Sequence, residues 1–228
     1  MLTFVGQKLH FPMARKKQRK KDAFFTLPNT FDRKDKKAGS WQEAFARPQP
    51  LTLELGCGKA EFSLGMAARY PERNFLGIDL KPDRLHDAAQ RALARGLENV
   101  AFLCLNLLEL DQYFAENEAA EIWITFPDPF PKSRQAKHRM VNPPFLRQYR
   151  QVLAPEGTLY YKTDNLDLFH YSLEVFVREP GLHLQALSFD LHADEQVPDF
   201  ARIETHYEQK FREMGTRINF AAMRFVAP

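Results

Sequence analysis

From Leu51 onward, the sequence alternates short apolar stretches with longer amphipathic ones, and this alternation constrains the fold more than any other feature. The strand-like stretches are residues 51–55, 74–79, 100–105, 121–126, 157–163, 182–189 and 218–225, and the helix-like stretches are residues 61–69, 82–95, 143–153, 166–178 and 203–214. Strands that alternate with helices form βαβ units, whose parallel sheet is covered by helices on both faces. The sequence therefore predicts an α/β, Rossmann-like fold with a mostly parallel seven-stranded sheet.

Length and composition exclude several classes of protein. The 228 residues suit one substantial domain, and a hydrophobic content of 44% is enough for a packed core. No run of about 18 uncharged apolar residues occurs, so we expect neither a membrane span nor a secretory signal. The two cysteines, Cys57 and Cys104, lack metal-ligand spacing. We therefore predict no metal site and a reducing, cytoplasmic location.

Positive charge is concentrated near the N-terminal end of the chain. Residues 1–50 hold 12 Lys and Arg against 4 Asp and Glu, whereas the whole chain has a formal net charge of only +3. Most of the excess is the run RKKQRKK, residues 15–21. Such a run is either a solvated, disordered tail or an arm that binds phosphate backbones. We predict a basic, flexible arm over residues 1–40 and a single domain over residues 41–228.

A glycine-rich turn follows the first predicted strand, where a parallel sheet of this kind binds its ligands. The turn is ELGCGKAE, residues 54–61, and Gly56 and Gly58 allow a ligand to approach the backbone closely. The second predicted strand ends at Asp79, 21 residues after Gly58, which suits a ribose diol. The same spacing is typical of nicotinamide dinucleotide binding, so this pattern leaves two cofactor classes open.

Two acids in this turn favour a cationic cofactor. Glu61 occupies the third glycine position of the dinucleotide pattern, where it would repel a pyrophosphate at a helix N-terminus. Glu54 precedes the first glycine by two residues, and a carboxylate there attracts an ammonium or sulfonium group. This pattern, together with Asp79, resembles the S-adenosylmethionine site of class I methyltransferases. Asn106, after the third predicted strand, either binds the adenine amine through its amide carbonyl or is simply the N-cap of a turn.

The fourth predicted strand leads into FPDPFPK, residues 126–132, in which three prolines alternate around one acid. Proline fixes its own φ and restrains the preceding residue, so this segment holds Asp128 on a stiff, extended mount. A carboxylate held rigidly at the mouth of a sheet suits the orientation of a substrate. We predict that Asp128 is the catalytic residue.

The segment after Asp128 is basic and contains no acid before Glu156. Its cations are Lys132, Arg134, Lys137, Arg139, Arg147 and Arg150. A solvated face normally carries both signs of charge, so a patch of one sign beside the predicted site favours a polyanionic substrate such as RNA.

Within the basic segment, NPPF at residues 142–145 matches a signature of methyltransferases that act on exocyclic amines. That signature must follow the fourth strand directly, and Asp128 already occupies that place. We interpret Asn142 as a helix N-cap and Pro143 as the first helical residue.

Together these segments resemble the bacterial tRNA (guanine-N7-)-methyltransferase family, whose members are class I S-adenosylmethionine-dependent methyltransferases. The resemblance extends over residues 51–225, and its most specific parts are FPDPFPK with the basic run, KTDN at residues 162–165, and THYEQKF at residues 205–211. It departs from the family pattern at Phe130, Asn106 and Ala60, where tryptophan, aspartate and glycine are usual.

The resemblance implies a role for each matching residue. Cofactor-binding residues would be Glu54, Gly56, Gly58, Asp79, Asn106 and Asp128; substrate-binding residues Lys132, Asp164, Thr205, Tyr207 and Glu208; and RNA-binding residues Arg134, Lys137 and Arg139. Thr205 and Glu208 also have the spacing of a helix capping box. The implied reaction is methyl transfer from S-adenosylmethionine to N7 of a guanosine in tRNA, at position 46 of the variable loop. The resemblance implies tRNA as the partner and no association with a membrane. It also implies a monomer or a homodimer.

Three other interpretations stay open at the level of sequence. The protein could methylate another RNA, a small molecule or a protein, and cofactor binding without salt-sensitive binding to RNA would favour a small molecule or a protein. It could bind RNA without catalysis, or be a dehydrogenase, and calorimetry with S-adenosylmethionine and NAD separates these two from a methyltransferase.

Overall fold

The computed structural model of the protein describes residues 12–226, with side chains from residue 15 onward. Its helices are α1 (Pro12–Phe24), α2 (Glu61–Arg69), α3 (Pro82–Ala94), α4 (Pro143–Val152), α5 (Leu166–Arg178) and α6 (His206–Glu213). Its strands are β1 (Thr30–Phe31), β2 (Leu51–Leu55), β3 (Asn74–Asp79), β4 (Val100–Cys104), β5 (Ala119–Thr125), β6 (Leu153–Thr163), β7 (Leu182–Ser188) and β8 (Asn219–Phe225).

The strands form one sheet in the order β1-β4-β3-β2-β5-β6-β8-β7. Every pair from β1 to β6 is parallel, and only β8 runs antiparallel to both of its neighbours. The predicted α/β architecture with a mostly parallel sheet is confirmed. The sheet has eight strands instead of seven because β1, which has only two residues, pairs with the edge of β4. A strand of two residues is too short to show hydrophobic periodicity, so the sequence does not predict β1.

The strands are apolar on both faces because helices cover both sides of the sheet. In β5, Ile122 and Ile124 pack into the core that includes Tyr149 of α4, whereas Trp123 packs into the core that includes Phe62 of α2. Successive side chains of a strand point to opposite faces, so one strand contributes to both cores. This packing fixes the carboxyl ends of β2, β3, β5 and β6 along one edge of the sheet.

The described part of the N-terminal arm is folded onto the domain, which differs from the flexible arm expected over residues 1–40. Helix α1 packs on α3, and Phe24 at its end is fully buried. The Lys20 ammonium lies 2.5 Å from the Asp87 carboxylate, and hydrogen bonds from Lys20 and His86 lower the pKa of Asp87 although its burial acts to raise it. The ion pair and the buried ring hold α1 in place. Residues 1–11 of the predicted arm lie outside the described residues.

Within residues 12–226, no helix is long and apolar enough to cross a membrane. The same part of the chain contains no cluster of three or more His, Cys, Asp or Glu side chains that could hold a metal ion.

Candidate active site

A cleft of about 480 Å³ lies beyond the carboxyl ends of β2 and β5. Three segments line it: the glycine turn after β2, the Pro-Asp-Pro loop after β5, and the first turn of α6. Six of the predicted site residues line this cleft: Glu54, Gly56, Gly58, Asp128, Thr205 and Tyr207. The structure therefore brings the predicted cofactor end and the predicted catalytic end into one cavity.

Glu54 lies at the base of the cleft and is only 3% exposed. One carboxylate oxygen accepts hydrogen bonds from the backbone N–H and the hydroxyl of Ser63, and the other accepts from Thr125 Oγ1 at 2.7 Å. Burial raises the pKa of Glu54, while the hydrogen bonds from Ser63 and Thr125 oppose that shift. A carboxylate offers about four acceptor positions, so one position remains for a donor in the cleft.

Asp79 closes the glycine turn. Its carboxylate accepts the backbone N–H of Gly58 at 2.9 Å and that of Lys81 at 2.8 Å, and the residue is 8% exposed. Gly56 and Gly58 have φ values of +69° and +56°, in the left-handed region that favours glycine. Asp79 does not line the cleft itself, so the structure places this predicted cofactor residue behind the turn.

Ala60, which replaces the usual third glycine of the turn, also has a left-handed backbone, with φ of +50°. This conformation brings the Cβ of an alanine close to its own carbonyl, at a cost of about 1 kcal/mol. The substitution is therefore less neutral than the small change in side-chain size implies.

The glycine turn lies in a negative electrostatic field. Burial, followed by the charges of Glu54 and Asp79, raises the pKa of the Cys57 thiol well above its usual range. Burial disfavours any charge there, but the charges of Glu54 and Asp79, which oppose a thiolate, favour a cation beside the turn. The two carboxylates beside the turn therefore fit a cofactor that carries positive charge.

Asn106 is the N-cap of the turn at Leu107–Gln112, where its side-chain oxygen accepts the backbone N–H of Leu108 at 3.2 Å. The N-cap role is therefore the one that the structure shows. The residue is half-buried beyond the end of β4 and does not line the cleft.

The Pro-Asp-Pro loop holds Asp128 at the mouth of the cleft. Phe126 and Phe130, which flank it, have φ values of +49° and +42°, a strained conformation for aromatic residues. The Asp128 carboxylate is exposed and makes no ion pair or hydrogen bond with another side chain among residues 15–226. The loop therefore presents an uncompensated negative charge to the cleft.

Arg139 anchors this loop, although the sequence assigns it to RNA binding. Its guanidinium donates hydrogen bonds to the carbonyl oxygens of Pro129 at 3.1 Å and Phe130 at 3.2 Å. The same guanidinium lies over the ring of Tyr171, 4.2 Å from its centroid. These contacts hold Arg139 on the Pro-Asp-Pro loop, whereas the resemblance implies a direct contact with RNA.

The other predicted RNA-binding side chains remain on the surface. Lys132, Arg134 and Lys137 are exposed in and beside the turn at Ser133–His138, and none has an acidic partner in the described part of the chain. None lines the cleft, so Lys132 lies next to the predicted guanosine site and not in it.

Glu208 faces the interior, whereas the sequence predicts a substrate contact. Its side chain is fully buried, and one carboxylate oxygen lies 2.7 Å from the Lys162 ammonium. The other oxygen lies 2.8 Å from Nε2 of His192. Lys162 also donates to the carbonyl oxygens of Ala201 and Ile203. The structure therefore gives Glu208 an internal position that joins α6 to β6.

Thr205 and Tyr207 present the first turn of α6 to the cleft. Thr205 is the N-cap and accepts the backbone N–H of Glu208 at 3.0 Å, which is one half of the predicted capping box. The Tyr207 ring lies 5.4 Å from that of Phe126. Its pKa is raised by burial and by the charges of Asp164 and Asp128.

Asp164, at the end of β6, lines a neighbouring cavity of about 440 Å³. Burial raises the pKa of its carboxyl group. This half-buried acid lies close enough to Tyr207 to affect it, although it does not line the main cleft.

Asn142 is the N-cap of α4, with Pro143 as the first helical residue, as expected. Its side chain does not cap the helix, however. The amide nitrogen donates to the Ala136 carbonyl at 2.7 Å, and the amide oxygen accepts the Tyr171 hydroxyl at 2.6 Å. Asn142 thus supports the segment that carries Arg139.

Several residues of the site were not identified from the sequence. Ser63 and Thr125 bond to Glu54, and Lys162 pairs with Glu208. Lys59, Arg84, His206 and Lys210 line the cleft. Lys162 has one sequence signal, since it is a charged residue at the end of an otherwise apolar strand. The roles of Ser63 and Thr125 depend on tertiary contacts that leave no local pattern.

The sheet order, the acid-bearing glycine turn after β2 and the acid after β5 define a class I methyltransferase fold. Solved structures of methyltransferases have the same fold. The 16S rRNA methyltransferase KamB superposes with a TM-score of 0.60 at 16% identity, covering 83% of this chain and 94% of KamB. TrmN from Thermus thermophilus superposes with a TM-score of 0.55 at 22% identity, covering 79% of this chain and 45% of TrmN.

Sequence comparison narrows the class to a family. Residues 48–221 match the protein family described as "Putative methyltransferase". The tRNA (guanine-N(7)-)-methyltransferase of Lactococcus lactis subsp. cremoris (strain SK11) is 39% identical over 188 residues, 82% of this chain and 86% of that protein. The enzyme of the same name from Cytophaga hutchinsonii is 37% identical over 190 residues, with the same coverage. The chain belongs to the tRNA (guanine-N7-)-methyltransferase family.

Proposed function

We propose that this protein transfers a methyl group from S-adenosylmethionine to N7 of a guanosine in tRNA, giving N7-methylguanosine. The observation that carries the proposal is the exposed, unpaired carboxylate of Asp128, which faces the same cleft as the buried carboxylate of Glu54. The relatives match about four-fifths of the chain. Their names identify guanine N7 as the methylated atom and tRNA as the substrate, and we propose both for this protein.

The residues around the glycine turn fit S-adenosylmethionine. Glu54 retains an acceptor position for the ammonium, and the negative charges of Glu54 and Asp79 beside the turn suit a cation. Gly56 and Gly58 let the backbone approach the ligand, while the remaining lone pairs of Asp79 would accept from the ribose diol. Two further contacts are proposed, from Asn106 to the adenine and from Asp128 to the sulfonium end. When bound, S-adenosylmethionine supplies an electrophilic methyl group on a positively charged sulfur.

Guanine N7 has a free lone pair, so the reaction needs no base to remove a proton first. The lone pair would form the new bond to the methyl carbon as the carbon–sulfur bond breaks, a neutral thioether would leave, and the positive charge would pass from sulfur to the guanine. Asp128 would stabilise this developing cation, because an exposed carboxylate already oriented by a stiff loop needs no reorganisation. Asp164 would accept the N1–H and N2–H groups of the guanine edge, and the charges of both acids act on the Tyr207 phenol.

The other proposed substrate contacts are inferred from the exposure of each side chain to the cleft or to solvent. Thr205 and Tyr207 would contact the guanosine, because they line the cleft beside Asp128. Lys132, Arg134 and Lys137 would contact phosphates, because they are exposed and lack acidic partners among the described residues. Glu208 would act indirectly, by holding the first turn of α6 in place.

We further propose that the guanosine is at position 46 of the variable loop, that the enzyme works in the cytoplasm, and that residues 41–228 form the main part of its methyltransferase domain, to which α1 and β1 are added. Whether the chain is a monomer or a homodimer stays a prediction.

The position is tested with a tRNA transcript that carries guanosine at position 46 and a matched transcript that carries adenosine there. We expect labelled methyl transfer to the first transcript only, together with calorimetric binding of S-adenosylmethionine and none of NAD. Equal labelling of both transcripts would contradict position 46, and binding of NAD alone would contradict the methyltransferase.

A further inference from the structure

Helix α1 and the first turn of α3 enclose a second cavity, of about 450 Å³, which we call the α1 groove. Its cations are Lys16, Lys17, Lys20, Lys59 and Arg84. Lys59 and Arg84 line both this groove and the main cleft. The two cavities are therefore continuous on the protein surface, at the glycine turn.

The α1 groove carries an excess of positive charge. Its two acids are already paired, since Asp87 lies 2.5 Å from the Lys20 ammonium and Asp83 lies 3.9 Å from that of Lys17. These pairs hold α1 against α3.

Three cations of the groove have no acidic partner within residues 15–226: Lys16, Lys59 and Arg84. All three side chains are exposed. They come from α1, from the glycine turn and from α3, so the fold, and not a run in the sequence, places them around one cavity.

We propose that the α1 groove binds the phosphate backbone of the tRNA whose guanosine enters the cleft; this inference rests on the proposed function. A groove with unpaired cations that opens into the active cleft complements a polyanion that must reach that cleft. It adjoins the glycine turn, whereas Lys132, Arg134 and Lys137 follow the Pro-Asp-Pro loop. The RNA would thus be held by two separate sets of cations.

The ion pairs explain why the basic run does not stay a solvated tail. Lys17 and Lys20 fix the helix, and this leaves Lys16 available to a phosphate at a defined position relative to the cleft. A pre-ordered cation loses less conformational entropy on binding than one on a flexible arm.

The test compares two double variants that remove the same charge. The groove variant is Lys16→Ala with Arg84→Ala, and the control is Lys36→Ala with Arg178→Ala, two exposed cations outside both cavities. The Kd for unmodified tRNA is measured across a range of salt concentrations. Each lost phosphate contact lowers the slope of log Kd against log salt by about 0.7 to 0.9, or about fivefold in Kd at 0.1 M salt.

We expect the groove variant to bind tRNA at least about tenfold more weakly than the wild type at 0.1 M salt, with a slope reduced by about 1.5 units. The control variant should bind like the wild type. Thermal unfolding of both variants shows whether they are folded. Lys16 lies outside the cleft, and Lys16→Ala alone should give about half of the change in the slope of log Kd against log salt.

Equal tRNA binding by the groove variant and the control would overturn the inference, as would weaker binding with an unchanged salt slope. Failure of the proposed function is recognised separately, as a wild-type protein that binds tRNA but forms no N7-methylguanosine.

Discussion

The ammonium of Lys162 lies 2.7 Å from the carboxylate of Glu208, and both side chains are fully buried. Lys162 belongs to β6 and Glu208 to α6, so the pair joins the sheet to the helix that carries Thr205 and Tyr207. A charge pair taken out of water holds its geometry strictly, because any separation leaves a buried charge without a partner. The position of the first turn of α6 therefore depends on a contact beneath the cleft.

Removal of only one member of this pair should strongly destabilise the protein. Lys162→Met leaves the buried Glu208 carboxylate without its ammonium partner and with His192 alone beside it, and we expect the free energy of unfolding to fall by about 3 to 5 kcal/mol. Urea denaturation measures the change. The matched control is Lys162→Met with Glu208→Leu, which should recover most of the loss. A double variant no more stable than the single one would contradict the pairing.

Arg139 should act on catalysis through the Pro-Asp-Pro loop. Arg139→Ala removes the hydrogen bonds to the carbonyl oxygens of Pro129 and Phe130, so Asp128 loses its fixed position. We expect kcat to fall by about 100-fold, since misplacement of a catalytic group by about 1 Å costs that much. The salt dependence of tRNA binding should stay unchanged, because Arg139 does not contact phosphate in this account.

Lys137→Ala is the matched control for that experiment. Lys137 is an exposed cation in the same segment, and its loss should reduce the salt slope by about 1 unit with little change in kcat. The opposite pattern, a reduced slope for Arg139→Ala with kcat unchanged, would return Arg139 to the RNA-binding residues.

The binding of S-adenosylmethionine should weaken as the pH falls. Burial raises the pKa of Glu54, so its carboxyl group takes up a proton at a higher pH than an ordinary glutamate. The protonated form no longer attracts an ammonium, so affinity is present above this raised pKa and is lost as the pH falls through it. Calorimetry from about pH 8 to about pH 5 measures the effect. Glu54→Gln should bind weakly at every pH, and an equally steep pH dependence in that variant would exclude Glu54 as its cause.

Asp128→Asn keeps the shape of the side chain but removes its charge. We expect kcat to fall by about 100- to 1000-fold, as when one electrostatic contact to a developing charge is lost. The Kd for S-adenosylmethionine should rise much less, because Glu54 and the glycine turn remain. Steady-state kinetics and calorimetry separate the two quantities, with Asp111→Asn as a control at an exposed acid outside the cleft. A Kd that changes as much as kcat would make Asp128 mainly a cofactor residue.

The sequence predicts the sheet well because the central strands must bury both of their faces, and this requirement produces short apolar stretches such as residues 122–124. Helix α1 was not predicted, because its composition is that of a solvated run. Its docking depends on Asp87, 67 residues away, and on one buried ring at Phe24.

The candidate site is likewise predicted only in part, because some of its contacts depend on tertiary structure. Sequence pattern predicts Glu54 and Asp128 at the cleft, because both lie at the ends of strands, whereas Thr205 and Tyr207 are predicted there only by the family resemblance. It does not reveal whether a charged side chain points outward. Arg139 is as charged as its neighbours, yet it bonds to two carbonyl oxygens instead of facing solvent.

The central claim is the reaction, and nucleoside analysis of tRNA tests it most directly. Unmodified tRNA is incubated with the protein and S-adenosylmethionine, digested and separated, with Asp128→Ala assayed in parallel. We predict N7-methylguanosine in the wild-type digest and a greatly reduced amount in that of the variant. A digest that contains no N7-methylguanosine from any of several tRNAs, or methyl label on a different nucleoside, would contradict the account.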